Sequence, residues 1–422
     1  MKKVIMDKQL PSKPELLIGA GSFASAKAAV KNRADAIYFG IKGYNMRDLG
    51  TNFEESEMKE LMDYLHENKV KGYMALNTTI FEDELKAVEG ILKKAKKAGV
   101  DAVIVYDLGI MALAKEIGVE IHLSTQASVA NVASLKQYKA LGVQRIVLAR
   151  ELGLEQIKKI HETAKEIGVE IECFIHGARC IAISGSCFMS HELFGKSANR
   201  GECLQVCRRV FFEDGHGKNV HKKELEIDGD TILSAKDLKT IDFLDKIIYA
   251  GAVSLKVEGR NRPTDYVSAV TKCYREAIDS IYEGSYTKEK ITAWDSELKK
   301  VYNRGFSKGF YLGKAGKRDV ANAEGSLQTQ HRKITGKVVN YYPKPMVAEI
   351  KLINDLKTGD KIIIEGKTTF IEQQIDSMEI HNKKVDSAKK GMRVAIKIND
   401  KARENDKVFV LEMKSQIVLQ EK

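Results

Sequence analysis

Apolar residues recur along the first 290 positions in two alternating rhythms. Short β-rich runs occur at LLIGA (16–20), AIYFG (36–40), KGYMALN (71–77), AVIVY (102–106), EIHLS (120–124), RIVLA (145–149), IECFI (171–175) and SLKVEG (254–259). Between most of them lie stretches with apolar residues at helical spacing, such as FEDELKAVEGILKKAKKAG (81–99) and LEQIKKIHETAKEIG (154–168). Gly99, Gly118, Gly142 and Gly168 each stand where a helix ends before the next strand, a position that suits a left-handed cap. Eight strand–helix units predict a (β/α)8 TIM-like barrel over residues 1–285. The competing doubly wound sheet would need a glycine-rich dinucleotide turn after the first strand, and none follows it.

Strand period two assigns the faces. It groups His122, Ser124 and Gln126, then Glu172, Phe174 and His176, then Lys256 and Glu258. With the apolar faces packed on helices, these polar groups line the interior near its C-terminal mouth. Burying them unpaired costs several kcal/mol each. Two readings follow: a ligand site, or an internal ion-pair network among Lys256, Glu258, Glu172 and Arg150.

The rhythm breaks twice. Residues 178–253 make an insertion after the seventh strand far longer than an ordinary strand–helix loop, with short strands expected at RRVFFED and ELEID. After a bridging segment at 286–330, containing VYNRGFSKGFYLG, residues 331–422 read as six short strands, from ITGKVVNYY to KVFVLE. That pattern predicts a small all-β barrel.

Charge sharpens this division. The chain of 422 residues carries 69 Lys+Arg against 58 Asp+Glu, a net charge of +11, and +6 of it lies in residues 331–422. A basic β-barrel beside an enzyme-like domain suits RNA, although solvated lysines would give a similar count. No run approaches the ~20 apolar residues of a membrane helix, and the N-terminus lacks a signal-peptide core. A cytoplasmic protein without a membrane partner is expected.

Four of the six cysteines, Cys180, Cys187, Cys203 and Cys207, fall within 28 positions, separated by six, fifteen and three residues. Four thiolates can hold a structural zinc or an iron–sulfur cluster. Only the Cys203/Cys207 pair has zinc-like spacing, and glycines beside the ligands suit sulfurs that accept backbone N–H bonds. Cluster, zinc and free thiols remain open on spacing alone. Cys173 and Cys273 read as buried core residues.

The run Glu172, Phe174, Gly177, Ala178, Cys180, Gly185, Cys187, Met189, Ser190 resembles the signature of peptidase family U32, the collagenase-like proteases, with Arg179 where that signature has an aliphatic residue. The resemblance extends through DAIYFGIKGYNMR (35–47), STQASVAN (124–131), NRGECLQVCRR (199–209), SAKDL (234–238) and SLKVEGR (254–260). The C-terminal unit resembles the second domain of translation GTPases. The resemblance implies two activities. One is proteolysis. The other is oxygen-independent RNA hydroxylation, as in prephenate-dependent hydroxylases of the tRNA wobble uridine and a hydroxylase of a ribosomal-RNA cytidine. It also implies a 4Fe–4S cluster on Cys180, Cys187, Cys203 and Cys207. Some relatives use a further cysteine at the position of Lys239, so Cys207 is the remaining fourth ligand here.

On this basis Glu172, His176, Lys256 and Glu258 are candidates for proton transfer and catalysis. Arg47, Asn77, Gln126, Arg150 and Arg260 are candidates for binding, the guanidinium groups clamping a small carboxylated, prephenate-like donor. The leading expectation is a tRNA hydroxylase; the others are a U32-type peptidase and a non-catalytic RNA-binding or maturation factor with structural zinc. The electron donor, or a second subunit, stays open.

Overall fold

The computed structural model describes residues 10–209, 233–321 and 325–414. Its strands are β1 (Glu15–Gly19), β2 (Ala36–Gly40), β3 (Lys71–Ala75), β4 (Ala102–Val105), β5 (Glu120–Leu123), β6 (Arg145–Val147), β7 (Glu170–Gly177), β8 (Asp237–Lys239), β9 (Ser254–Val257) and β10 (Phe306–Ser307). Strands β1 to β7 pair in parallel in chain order, and β9 pairs in parallel with both β7 and β1. The eight parallel strands therefore close into a barrel, as the alternating rhythms predict. The additional strands β8, antiparallel to β7, and β10, parallel to β8, extend the wall at the mouth.

Helices α1 (Phe23–Lys31), α2 (Met58–Glu67), α3 (Leu85–Ala98), α4 (Leu108–Ile117), α5 (Val132–Ala140) and α6 (Leu154–Glu166) follow the first six strands. Helix α7 (Met189–Phe194) lies in the cysteine segment, α8 (Leu244–Tyr249) and α9 (Thr264–Tyr282) complete the ring, and α10 (Lys288–Lys300) follows. Helix α8 falls inside the expected 178–253 insertion, yet Leu244, Ile247 and Ile248 are buried in the barrel's outer core, making it the seventh unit's own helix. The expected strands RRVFFED and ELEID lie almost wholly outside the described residues.

Side-chain chemistry sets these elements locally. Val88, Ile91, Leu92 and Ala95 form the buried stripe of α3. Asp107 caps α4 by accepting the Ile110 N–H at 3.1 Å. Gly99 and Gly118 end α3 and α4 in the left-handed conformation that the sequence requires of them. In β1, Leu16 and Ile18 face the helices, while Leu17 joins Tyr38, Tyr73, Ala102 and Ile104 in a separate interior cluster.

The C-terminal unit comprises β11 (Gln330–Tyr342), β12 (Val347–Leu352), β13 (Leu356–Lys357), β14 (Lys361–Glu365), β15 (Phe370–Gln374), β16 (Met378–Ile380), β17 (Lys383–Val385), β18 (Ser387–Ala388), β19 (Arg393–Lys397) and β20 (Lys407–Met413). Eight of them form one antiparallel sheet, ordered β15-β14-β20-β11-β12-β19-β16-β17, wrapped around a single core. The run TTFIEQQIDSMEI, expected as one strand, divides into β15 and β16. Ile375 exchanges backbone hydrogen bonds with Gly359 and Asp360 and so leaves the ladder. The unit docks on the barrel through Ile363 and Phe370, which enter the outer core. Polar contacts add to this, with Thr264 Oγ1 donating to Glu365 at 2.9 Å and Lys367 pairing with Glu57 at 2.6 Å. Among the described residues no helix is long and apolar enough to cross a membrane.

Candidate functional site at the barrel mouth

Two polar zones fill the barrel interior. The deeper one is a buried ion network. Lys256 Nζ, from β9, lies 2.6 Å from Glu172 Oε1, from β7, and 4.4 Å from the centre of the Tyr38 ring. Arg145, from β6, pairs with Glu15 at 2.5 Å, Glu170 at 2.6 Å and Glu172 at 3.5 Å. Glu172 is fully buried. Burial favours its neutral form, but Lys256, Arg145 and His122 outweigh that cost and hold it below the usual carboxylate range. The internal network read from the sequence exists here with different members: Arg145 and Glu15 replace Arg150 and Glu258.

Above this network the mouth opens as a cavity of about 330 Å³. Its lining includes Cys180, Cys187, Cys203 and Cys207 together with Arg47, Glu258, Arg262 and Arg304. A smaller pocket of about 60 Å³ continues into the barrel between Asn77, Gln126, Lys256, Glu258 and Arg260. Gln126 reaches it from a 3₁₀ turn after β5 and exchanges hydrogen bonds with Asn77, at 2.8 Å to its side chain and 3.0 Å to its carbonyl. Arg260 donates to Asn45 Oδ1 at 3.0 Å. The structure thus brings Arg47, Asn77, Gln126, Lys256, Glu258, Arg260 and the four cysteines to one opening.

His176 sits at a break in the strand alternation. The β7–β9 register advances by one residue from Phe174 opposite Lys256 to His176 opposite Val257, so a bulge at Ile175 reverses the alternation. Val257 packs in the outer core, and His176 lies on that side, against Tyr266, Tyr274 and Phe306, with Nδ1 3.2 Å from Tyr274 Oη. Burial, aided by Arg262 and Lys239, pushes its imidazole down to about 3. It is neutral at physiological pH, and it also lines a pocket of about 50 Å³ with Arg47, Arg150 and Glu258. Between about pH 6.5 and 3 the unfolded chain takes up a proton that the folded chain refuses, so stability falls as pH falls through that window, by up to ~1.4 kcal/mol per pH unit. Urea midpoints measured from pH 7 to 4 are therefore expected to fall less steeply in His176→Gln than in the parent chain.

Glu258 is the carboxylate that faces the cavity. Burial pushes its carboxyl up, and Arg262, Arg47, Arg260 and Arg208 together overcome this and leave it below the ordinary range. Arg262 Nε lies 3.4 Å from Glu258 Oε2, and Arg262 and Arg304 each lie 3.4 Å from the buried Asp237. Arg262, Arg304 and Asp237 were not singled out from the sequence. Arg262 stands two residues after the SLKVEGR motif and Arg304 lies in the bridging NRGF, signals that only the closed barrel relates to each other.

The remaining mouth arginines are oriented by backbone rather than by carboxylates. Arg47 donates to Met46 O at 3.0 Å, Arg150 to Ala182 O at 2.8 Å, Arg179 to Asp319 O at 3.2 Å and Arg208 to Arg179 O at 2.9 Å. Carbonyls fix the guanidinium groups without cancelling their charge, so the opening stays positive and suited to anions.

The cysteine segment is held over the mouth by close backbone contact. Gly201 takes φ +88°, and a Cβ there would lie 2.1 Å from Asn45 O. Its carbonyl accepts the Asp48 N–H at 3.1 Å, tying the segment to the loop that carries Arg47. Gln205, between Cys203 and Cys207, has φ +54°, its N–H 3.4 Å from Cys203 Sγ and its Oε1 accepting from Arg304 at 3.0 Å. Strained backbone of this kind recurs at functional sites. The four thiols are free of disulfides. Burial pushes the Cys207 thiol up, Arg208 draws it back, and Cys180, Cys203 and Cys187 add to the rise, so the four share one electrostatic neighbourhood. A single zinc needs its sulfurs ~2.3 Å from one point. Among the described residues no three His, Cys, Asp or Glu side chains converge closely enough to hold one ion. All four thiols nevertheless line the wall of one cavity.

The model of peptidase family U32 matches residues 21–321. An uncharacterized protease of Methanocaldococcus jannaschii is 45% identical over 94% of this chain and 98% of its own length. A collagenase of Porphyromonas gingivalis is 38% identical over 94% of this chain and 97% of its own. A tRNA hydroxylation protein of Bacillus subtilis is 33% identical over 85% and 84%. With the closed barrel, the cysteine segment over its mouth and these matches along most of its length, the chain belongs to peptidase family U32.

Proposed function

We propose that this chain is an RNA-modifying enzyme, an oxygen-independent hydroxylase of the tRNA wobble uridine that uses a 4Fe–4S cluster and a small carboxylated, prephenate-like donor. The observation that carries this reading is the convergence of four thiols, one ionised carboxylate and a surplus of guanidinium groups on a single opening. The tRNA hydroxylation relative supports RNA as the substrate class.

Cys180, Cys187, Cys203 and Cys207 are the residues that would hold the cluster, whose chemistry when bound is one-electron transfer. Arg260 and Lys256, at the floor of the pocket, and Arg47, at its rim, bind the carboxylates of the donor. Asn77 and Gln126 fix its polar groups. Glu258, ionised among arginines, accepts a proton at its carboxylate oxygen. Glu172 does not line the cavity and acts as a positioning residue through Lys256. A wobble base in an unpaired loop reaches the opening without breaking a base pair.

The second reading, a peptidase acting on unfolded chains, is favoured by the collagenase relative. A cysteine nucleophile would need an imidazole beside it, and no histidine lines the large cavity among the described residues. Nucleoside mass spectrometry of tRNA from cells with and without the gene separates the two. Loss of hydroxyuridine derivatives without the gene, and their return with the wild-type chain, is expected. Unchanged derivatives, with gelatin cleavage by the purified chain, would replace the hydroxylase by the peptidase.

A further inference from the structure

Exposed apolar side chains gather on the cysteine segment. Ile181, Phe188 and Phe194 are 49, 64 and 54% exposed, and Ile181 also lines the large cavity. Phe81, 55% exposed, joins this surface from the loop after β3, with the Arg200 guanidinium 4.6 Å over its ring. The connection is continuous: Thr79 N–H donates to Asn199 O at 3.0 Å, and Asn199 Oδ1 accepts the Cys187 N–H at 3.0 Å. Arg200 is forked on Glu84, which holds its plane in place. Beyond Phe188, Arg209 lies 6.0 Å over the Phe194 ring. Scattered surface hydrophobics need no explanation, but exposed aromatic rings on the segment that lines a cavity, and on a loop bonded to it, mark a contact surface.

The charge beneath identifies what it contacts. Arg47, Arg150, Arg179 and Arg208 rest on carbonyls and make no ion pair among the described residues. A partner with flat apolar faces strung on an anionic backbone matches both features, and single-stranded nucleic acid has that chemistry. Guanidinium planes stacked on rings extend such a surface, because every base has a face to lay on it.

We infer that Phe188, on the segment that carries the Phe194–Arg209 pair and is tied through Asn199 to the loop of the Phe81–Arg200 pair, is a stacking platform for the unpaired bases of an RNA loop and presents one of them to the cavity. The inference rests on the RNA-modifying reading above and adds where the substrate lies and why a loop is preferred to a duplex, whose base faces are hidden.

The test titrates the full-length, anaerobically purified chain against two labelled RNAs, a hairpin with a uridine-containing loop and a fully paired duplex, by fluorescence anisotropy. Phe188→Ala is expected to weaken the hairpin by roughly 5- to 100-fold, to leave duplex affinity unchanged and, because the ring is exposed, to leave the melting temperature in place. Hairpin affinity within twofold of the parent would overturn the platform, as would equal weakening of hairpin and duplex. Binding of gelatin that depends on Phe188 would assign the surface to polypeptide and overturn it too. A cellular arm separates the two levels. If hydroxyuridine is lost with the gene and fully restored by the Phe188→Ala chain, the platform falls while the hydroxylase stands. If hydroxyuridine never depended on the gene, the underlying reading falls.

Discussion

Glu172→Gln is expected to destabilise the barrel by about 3–5 kcal/mol, the usual result of removing one partner from a buried charge pair. Lys256 is 3% exposed, and Glu172, at 2.6 Å, is its one ion-pair partner among the described residues. Arg145 would keep Glu15 and Glu170. The substitution therefore strands the ammonium of Lys256 between the rings of Tyr38 and Phe174, at 4.4 and 5.5 Å, inside the barrel. Urea unfolding would show the loss directly, and thermal unfolding should fall by roughly 10 °C. The double variant Glu172→Gln with Lys256→Met removes both charges and should lose far less than the sum of the single changes. A single variant within 1 kcal/mol of the parent would mean that the pair contributes nothing to the fold.

Glu258→Gln should cost less stability than Glu172→Gln and reduce RNA hydroxylation by 10²- to 10⁴-fold, the range for losing a positioned proton acceptor. The amide has the same shape, and Arg262 keeps Asp237 as its partner. What disappears is the ionised oxygen that four arginines maintain at the cavity wall. Product nucleosides counted by mass spectrometry after a fixed reaction time, alongside unfolding curves, separate chemistry from folding. Wild-type product yield would remove Glu258 from the reaction.

The barrel was legible because its strands and helices each obey a local rule. Apolar period sets the face of α3, and glycine ends it at Gly99. The polar interior was legible for the same reason on β9, where Lys256 and Glu258 keep strict alternation. On β7 the strict alternation breaks because a bulge is a tertiary adjustment: one extra residue at Ile175 sets His176 against Tyr266 and Tyr274, and nothing in IECFIHG marks the shift. Arg145 and Glu15, 130 residues apart, meet only because the barrel closes. The arginine surplus was hidden likewise, since Arg179, Arg208 and Arg304 come from the insertion and the bridging segment, whose paths over the mouth follow no period. The cysteines stood out by their clustering, and the structure adds that all four open on the cavity that holds Glu258.

Anaerobic purification followed by iron, zinc and acid-labile sulfide counts reaches furthest into this reading. About four irons and four sulfides per chain, lost together with the visible absorbance in Cys180→Ser, is the expected result. Zinc without iron or sulfide, or a metal-free chain whose four thiols all react under native conditions, would contradict it and leave the opening without its redox group.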